Sequence, residues 1–147
     1  MLKIIGAALI VAVGSGFGLR ASERLRIRRN LLYKHYLFIG EAADLMRLGA
    51  DITEIYKSQK AKELLSAEGY NATVISEGLN REDLRILVEF YTELGMGDLE
   101  AGLSRCKTYR TIVKTQLDAA ENELHSKARL YSIFGVFSGL FIAILLM

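Results

Sequence analysis

The run from Leu130 to Met147, LYSIFGVFSGLFIAILLM, holds 18 residues and no charged side chain. Crossing a hydrocarbon core of about 30 Å takes roughly 20 apolar residues at about 1.5 Å rise each. Apolar runs of about 10–14 residues usually mark a buried core helix instead, and this run exceeds that length. Lys127 and Arg129 stand just before it, where basic side chains anchor the end of a membrane helix. A second uncharged run, Ile4 to Leu19, lies near the other terminus. The two runs predict a transmembrane anchor over residues 1–20, a central domain over 21–129 and a second transmembrane helix over 130–147.

The central region is large enough for one modest core. The chain has no Pro and no Trp, and its interior is dominated by Leu, Ala, Glu, Lys and Arg. That composition predicts an all-α fold, an antiparallel helical bundle flanked by the two spans. Cys106 is the only cysteine, so no internal disulfide can form. The net charge of +2 hides an asymmetry: residues 40–126 carry 16 acidic and 10 basic side chains, while the flanks carry 9 basic and 1 acidic. Basic flanks beside apolar runs suit a membrane surface, and an acidic centre argues against nucleic acid.

Residues 1–19 have a basic start and an apolar core, as a secretory signal does. They lack a clean small-x-small cleavage site, and Arg20, Arg24, Arg26, Arg28 and Arg29 follow at once. An arginine cluster resists translocation and holds its side of the membrane in the cytoplasm. The expectation is a retained anchor. Lys127 and Arg129 give the same orientation for the second span, so both termini point out and the middle is cytosolic.

Within the middle, Leu25, Leu32, Tyr36, Ile39, Ala43 and Met46 recur at helical spacing, widened by Leu31, Phe38, Ala42 and Leu45. Gly49 ends this helix. Asp51 and Glu54 have the spacing of a capping box for a second helix, which Gly69 closes. A short helix is expected around Asn71 to Glu77, ended by Gly78. Asn80 caps the next helix, with Glu82 and Asp83 in its first turn, a face of Leu84, Leu87, Val88, Tyr91 and Leu94, and Gly95 as its stop. Asp98 caps the last helix, whose seam runs through Leu99, Leu103, Cys106, Tyr109, Val113, Leu117, Ala120, Leu124 and Ala128. No breaker separates it from the final apolar run.

Catalytic chemistry is not indicated. His35 and His125 lie on different helices, and no His, Cys or Asp spacing supplies three or four converging metal ligands. Each histidine reads as a surface or boundary residue. Cys106 falls on an apolar seam and reads as a small core residue. No phosphate-cradling loop of the Gly-Lys-Ser or GxGxxG type occurs. No enzyme activity, cofactor or metal is expected. Gly14 and Gly18, and again Gly135 and Gly139, are spaced as GxxxG, which lets membrane helices approach closely. They are ordinary membrane-helix glycines or a packing face between the spans or against a membrane partner.

The opening Met1-Leu2-Lys3-Ile4-Ile5-Gly6-Ala7 with its arginines, the turn Leu94-Gly95-Met96-Gly97-Asp98 and the ending carry a family resemblance. That ending reads Lys127-Ala128-Arg129-Leu130-Tyr131, then Gly135-Val136-Phe137-Ser138-Gly139-Leu140 and Ile144-Leu145-Leu146. Together these resemble the stage III sporulation protein AB family, from the operon that builds a channel between mother cell and forespore. The resemblance implies a cytosolic bundle like that of the F-type platform proteins of type II secretion. It also implies a partner, the AA protein of the same operon, which resembles a secretion ATPase.

In the up-and-down order expected here, the pole far from the membrane holds the turns at residues 49–51 and 94–100. Near it lie Asp44, Asp51, Glu54, Glu89, Glu93, Asp98 and Glu100, with Arg47 as the nearby base. The acids form either a solvated end, several of them serving as caps, or a docking face for a basic surface on a cytosolic motor. Two functions follow. One is a non-catalytic platform of the sporulation channel in the cell membrane, contacting the ATPase and other channel components. The other is a membrane-tethered sensor or enzyme accessory subunit whose bundle binds a small ligand.

Overall fold

A computed structural model describes the backbone over residues 2–66 and 73–146, and the side chains over 23–66 and 73–127 with Leu130, Ile133, Phe134, Phe137 and Phe141. Five helices appear in it: α1 (Leu2–Arg47), α2 (Ile52–Lys57), α3 (Gln59–Leu64), α4 (Arg81–Glu93) and α5 (Leu99–Leu146). No strand occurs among the described residues, and the fold is all-α. The chain divides into two compact units, residues 27–120 and residues 1–26 with 121–147.

In the 27–120 unit the pairing of α1, α4 and α5 follows from their contacts. Arg28 meets Asp83 and His35 meets Tyr91, so α1 and α4 run parallel. Met46 lies against Gly102 and Arg110 stacks on Tyr36, so α5 runs antiparallel to α1. Phe90 against Tyr109 and Glu93 beside Arg105 make α5 antiparallel to α4 as well. The core between them holds Leu32, Phe38, Ile39, Ala42, Leu87, Phe90, Leu94, Cys106, Val113 and Ala120, all nearly or wholly buried. Full burial of such a side chain contributes about 1.5–3 kcal/mol, so this seam supplies most of the apolar drive that packs α1, α4 and α5 together. The α5 seam is as expected from Cys106 to Ala120, while Leu99 is 53% exposed and Leu124 half-buried.

α4 starts where its cap dictates. Asn80 Oδ1 accepts the Asp83 amide at 2.7 Å, and Asp83 Oδ2 accepts the Asn80 amide at 3.3 Å. This reciprocal pair satisfies two donors that a helix start otherwise leaves open. The buried face is Asp83, Ile86, Leu87, Phe90, Tyr91 and Leu94, which keeps Leu87, Tyr91 and Leu94 of the expected face. Leu84 is only half-buried, and Val88 is 45% exposed. The face rotates because Asp83 turns inward to Arg28, which brings Ile86 and Phe90 into the seam in place of Leu84 and Val88.

The expected helix from Asp51 to Gly69 is broken at Ser58. Its backbone is extended (φ −59°, ψ 150°), its amide donates to the Ile55 carbonyl, and its hydroxyl accepts the Ala61 amide at 3.3 Å. Serine offers the backbone a local partner that competes with helix continuation, and a six-residue helix follows on either side. The capping box of Asp51 and Glu54 does not form: Asp51 Oδ1 accepts the Ile52 amide at 2.8 Å, and the Glu54 amide donates to the Asp51 carbonyl.

The helix expected from Asn71 to Glu77 is not present among its described residues, 73–77. Val74 instead forms an antiparallel bridge with Leu65, closed by Ser66 N–H to Thr73 O and Ile75 N–H to Leu64 O. Thr73, Val74 and Ile75 are consecutive β-branched residues, which favour extended backbone. Gly69 and Asn71 lie outside the described residues. Gly78 adopts φ 94° in the turn that follows, and a Cβ there would stand 2.5 Å from Ile27 Cγ2. Only glycine combines that backbone with that approach to α1.

Candidate functional site

The candidate site is one end of the 27–120 unit, where α1 and α4 finish and α5 begins. Gly95 packs against Ile52 and Gly102 against Met46, which holds the α1–α2 and α4–α5 turns side by side. Gly49 (φ 83°) ends α1 as expected. In the second turn the left-handed residue is Gly97 (φ 85°), not Gly95. Asp98 caps α5 by accepting the Ala101 amide at 2.9 Å.

All seven acids expected at this pole lie in this unit, but most are occupied. Asp44 pairs with Arg47 at 2.7 Å, Glu89 with Arg85 at 3.8 Å and Glu93 with Arg105 at 3.7 Å. Asp51 and Asp98 are helix caps. Glu54 and Glu100 are exposed and make no ion pair among the described residues. Arg47 is therefore not the lone base: Arg85 and Arg105 reach the same acids from positions that the linear sequence places one or more turns away. Arg105 also donates to the carbonyls of Glu93 (3.0 Å) and Met96, tying the turn to α5. The pole also exposes three large apolar side chains, Leu48 (84%), Met96 (54%) and Leu99 (53%). Sequence reasoning missed all three: Leu99 was expected on the buried seam, and exposure at a turn depends on which side of it faces outward.

The residues expected to set topology divide. Arg24 and Arg26 are exposed. Arg28 turns inward: its Nε and Nη2 donate to Asp83 Oδ2 and Oδ1 at 2.7 and 3.2 Å, with the two side chains 12% and 0% exposed. Arg29 Nη1 donates to Asn30 Oδ1, and its guanidinium lies over the Tyr33 ring. Lys127 pairs with Glu123 at 2.6 Å. Gly14 and Gly18 lie in α1 and Gly135 and Gly139 in α5, but their packing, like the side chains of Arg20 and Arg129, falls outside what is described. Among the described residues no helix is long and apolar enough to cross a membrane, and most side chains of the two uncharged runs fall outside that set.

The histidines also divide. His125 is exposed, as expected. His35 is not a surface or boundary residue: it has no exposed surface, because α1 turns it toward α4, where Nδ1 lies 3.1 Å from the Tyr91 hydroxyl. Its i+3 and i+4 neighbours Phe38 and Ile39 are core residues, a signal the sequence did contain. Burial lowers the His35 pKa to about 4 and raises that of Tyr91. Cys106 is buried, and burial pushes its thiol up against the opposite pull of Arg47, so it is not an activated nucleophile. No group of His, Cys, Asp and Glu among the described residues could hold a metal ion.

No curated protein or solved structure matches this chain. Residues 53–147, more than half of it, match the family described as stage III sporulation protein AB (spore_III_AB), a stretch that takes in α2 to α5 and runs through the last apolar segment. The chain belongs to the stage III sporulation protein AB family, with the sporulation-related role which that family implies.

Proposed function

We propose that this chain is a non-catalytic, membrane-anchored platform component of the mother cell–forespore sporulation channel. The observation that carries the membrane part is the pair of uncharged runs at 4–19 and 130–147, each flanked by basic residues on the same side. The described side chains of the second run support it. Leu130, Ile133, Phe134, Phe137 and Phe141 recur at helical spacing and are 44–68% exposed. An apolar stripe of this kind is unfavourable in water and is covered by lipid in a span. Residues 21–129 then face the cytosol. Cysteines placed at the exposed Gln59 and Ser104 react with a membrane-impermeant thiol reagent only after lysis; labelling in intact cells overturns the orientation.

The cytosolic partner in this reading is a secretion-type ATPase, the AA-like product of the same operon, with other channel components beside it. The pole formed by the α1–α2 and α4–α5 turns is its docking face. Glu54 and Glu100 are the acids there without an ion pair among the described residues, and Leu48, Met96 and Leu99 supply apolar area of the sort that carries binding energy in interfaces. Glu89, Glu93 and Asp44 contribute less, since Arg85, Arg105 and Arg47 already neutralise them. Retention of the ATPase by the intact protein, and its loss when Leu48 and Met96 are both replaced by Ser, tests this assignment. No observation favours the small-ligand sensor over it.

A further inference from the structure

His35 sits at the centre of the α1–α4 seam. Its ring meets Tyr91 edge-on at a centroid distance of 5.9 Å, and Tyr91 stacks on Phe38 at 5.6 Å and meets Phe90 edge-on at 5.2 Å. Nδ1 faces the Tyr91 hydroxyl, and Nε2 is buried without any hydrogen-bond partner. Among the described residues the surrounding elements offer it no countercharge. On α1, Lys34 and Glu41 are engaged in ion pairs with Glu63 and Lys60 of α3. On α4, Asp83 is held by Arg28. α2 contributes Tyr56, whose hydroxyl donates to the Tyr91 carbonyl at 2.7 Å. Among the described residues of α5 the buried titratable groups are Cys106 and Tyr109, the latter packed on Phe90.

The hydrogen-bond inventory favours one tautomer. If the Tyr91 hydroxyl donates to Nδ1, the ring proton is on Nε2 and one donor is left unsatisfied. If instead Nδ1–H donates to the Tyr91 oxygen, both the Tyr91 hydroxyl proton and the Nε2 lone pair are stranded. The first arrangement leaves fewer buried polar groups without partners. Tyr91 is therefore the donor, and the bond exists only while Nδ1 is unprotonated.

We propose that the His35–Tyr91 pair is an acid-released latch between α1 and α4. Closed, it is a neutral imidazole accepting from a tyrosine inside an aromatic wall. A proton on Nδ1 turns that acceptor into a donor, leaves the tyrosine hydroxyl proton facing it, and places a positive charge in the apolar seam beside Tyr91, with no carboxylate paired to it among the described residues. Between pH 6.5 and about 4 the imidazole takes up its proton when the seam opens to water, so acid acts there by holding the open form. The lowered pKa of His35, about 4 against the ordinary 6.5, has the sign that this requires.

The test uses the full chain in detergent micelles, with hydrogen exchange read in peptides over 31–46 and 83–94 and corrected for intrinsic rates. Opening of this seam is expected to rise about 20-fold from pH 7 to pH 5, the ratio set by an open-form pKa of 6.5 and a closed-form value of about 4. His35→Phe, which fills the site without a titrating nitrogen, is expected to lose that rise. An unchanged wild-type seam, or the same rise in His35→Phe, overturns the latch. Should the variant not fold, the ring is titrated directly by NMR in His125→Gln, which leaves His35 as the only histidine. A midpoint below about 5 supports the latch, and one at or above about 5 overturns it.

Discussion

At the Arg28 end of the 27–120 unit a guanidinium that is 12% exposed grips a carboxylate with no exposed surface, while at the opposite end seven carboxylates stand in or near water. Asp83 is engaged three times, by Arg28 Nε, by Arg28 Nη2 and by the Asn80 amide. Asp44, by contrast, meets Arg47 three residues on, with both side chains more than 60% exposed. The same two residue types do different work because their solvent differs. Where water is excluded, one ion pair fixes how α4 meets α1 and rotates the buried face of α4. Where water is present, the pairs trim the net charge of the pole and hold little in place.

The largest effect should come from removing the buried partner. Asp83→Ala deletes the carboxylate that takes both Arg28 donors and half of the α4 capping box. Breaking a buried pair from one side typically costs about 3–5 kcal/mol. Asp44→Ala, its counterpart at the pole, should cost about 0–1 kcal/mol. Denaturant unfolding of the full chain in detergent reads both as midpoint shifts at constant slope. Equal costs for the two would break the comparison between the ends.

The second effect sharpens it by titrating a buried group while the exposed ones act as background. The folded-state pKa of His35 lies below its unfolded value of 6.5, at about 4, so the unfolded chain takes up the proton first. Stability is thus complete above pH 6.5, falls as the pH drops through the window from 6.5 to 4, and levels off below it. The total is about 3 kcal/mol, since each tenfold drop in the proton affinity of the folded state is worth about 1.4 kcal/mol. Stability curves for wild type and His35→Phe should diverge across that window and run parallel above it. Parallel curves throughout would place the acid sensitivity in the carboxylates instead.

Much of this contrast was written in the sequence, though not evenly. The seams of α1 and α5, the Asn80 cap and the stop at Gly49 follow from periodicity and from residues with strong backbone preferences, whereas Gly78 bends the chain after an extended stretch and not after the helix expected there. What the sequence concealed was direction. Arg28 sits in a run of five arginines and looks like its neighbours, yet only a tertiary partner 55 residues away turns it inward. The break at Ser58 and the extended stretch over 73–75 are local choices with cues of their own, masked by the longer apolar pattern around them. At the pole, the seven acids were visible, but three arginines from three different helices neutralise part of them only once the chain has folded.

A smaller loss is expected at the exposed cap. Asp98 accepts the Ala101 amide at the start of α5, and replacing such a cap by Ala costs about 0.5–2 kcal/mol. Thermal melts of Asp98→Ala should fall between those of Asp44→Ala and Asp83→Ala. A loss as large as that of Asp83→Ala would mean that the pole is structurally tighter than its exposure indicates.

The smallest stability effect belongs to the charges outside the ion pairs of the pole. Glu54 and Glu100 are exposed and lie on α2 and α5 beside its two turns. Glu54 lies in the first turn of a six-residue helix and Glu100 in the first turn of α5. Reversal to Lys removes a favourable interaction with the helix start of about 0.3–1 kcal/mol each at low salt, and less when screened. The double reversal should therefore melt within a few degrees of wild type. Its effect on the proposed ATPase contact should be far larger in relative terms. Rim charges act mainly on association, so the on-rate should fall steeply at low salt and converge with wild type as salt screens the field. Reversing Glu89 and Glu93 instead should do less to the on-rate and more to the fold, since each is already held by an arginine of the bundle. If both double reversals slow association equally, pairing within the pole does not govern what a partner sees. If neither does, docking at this end rests on Leu48, Met96 and Leu99 alone.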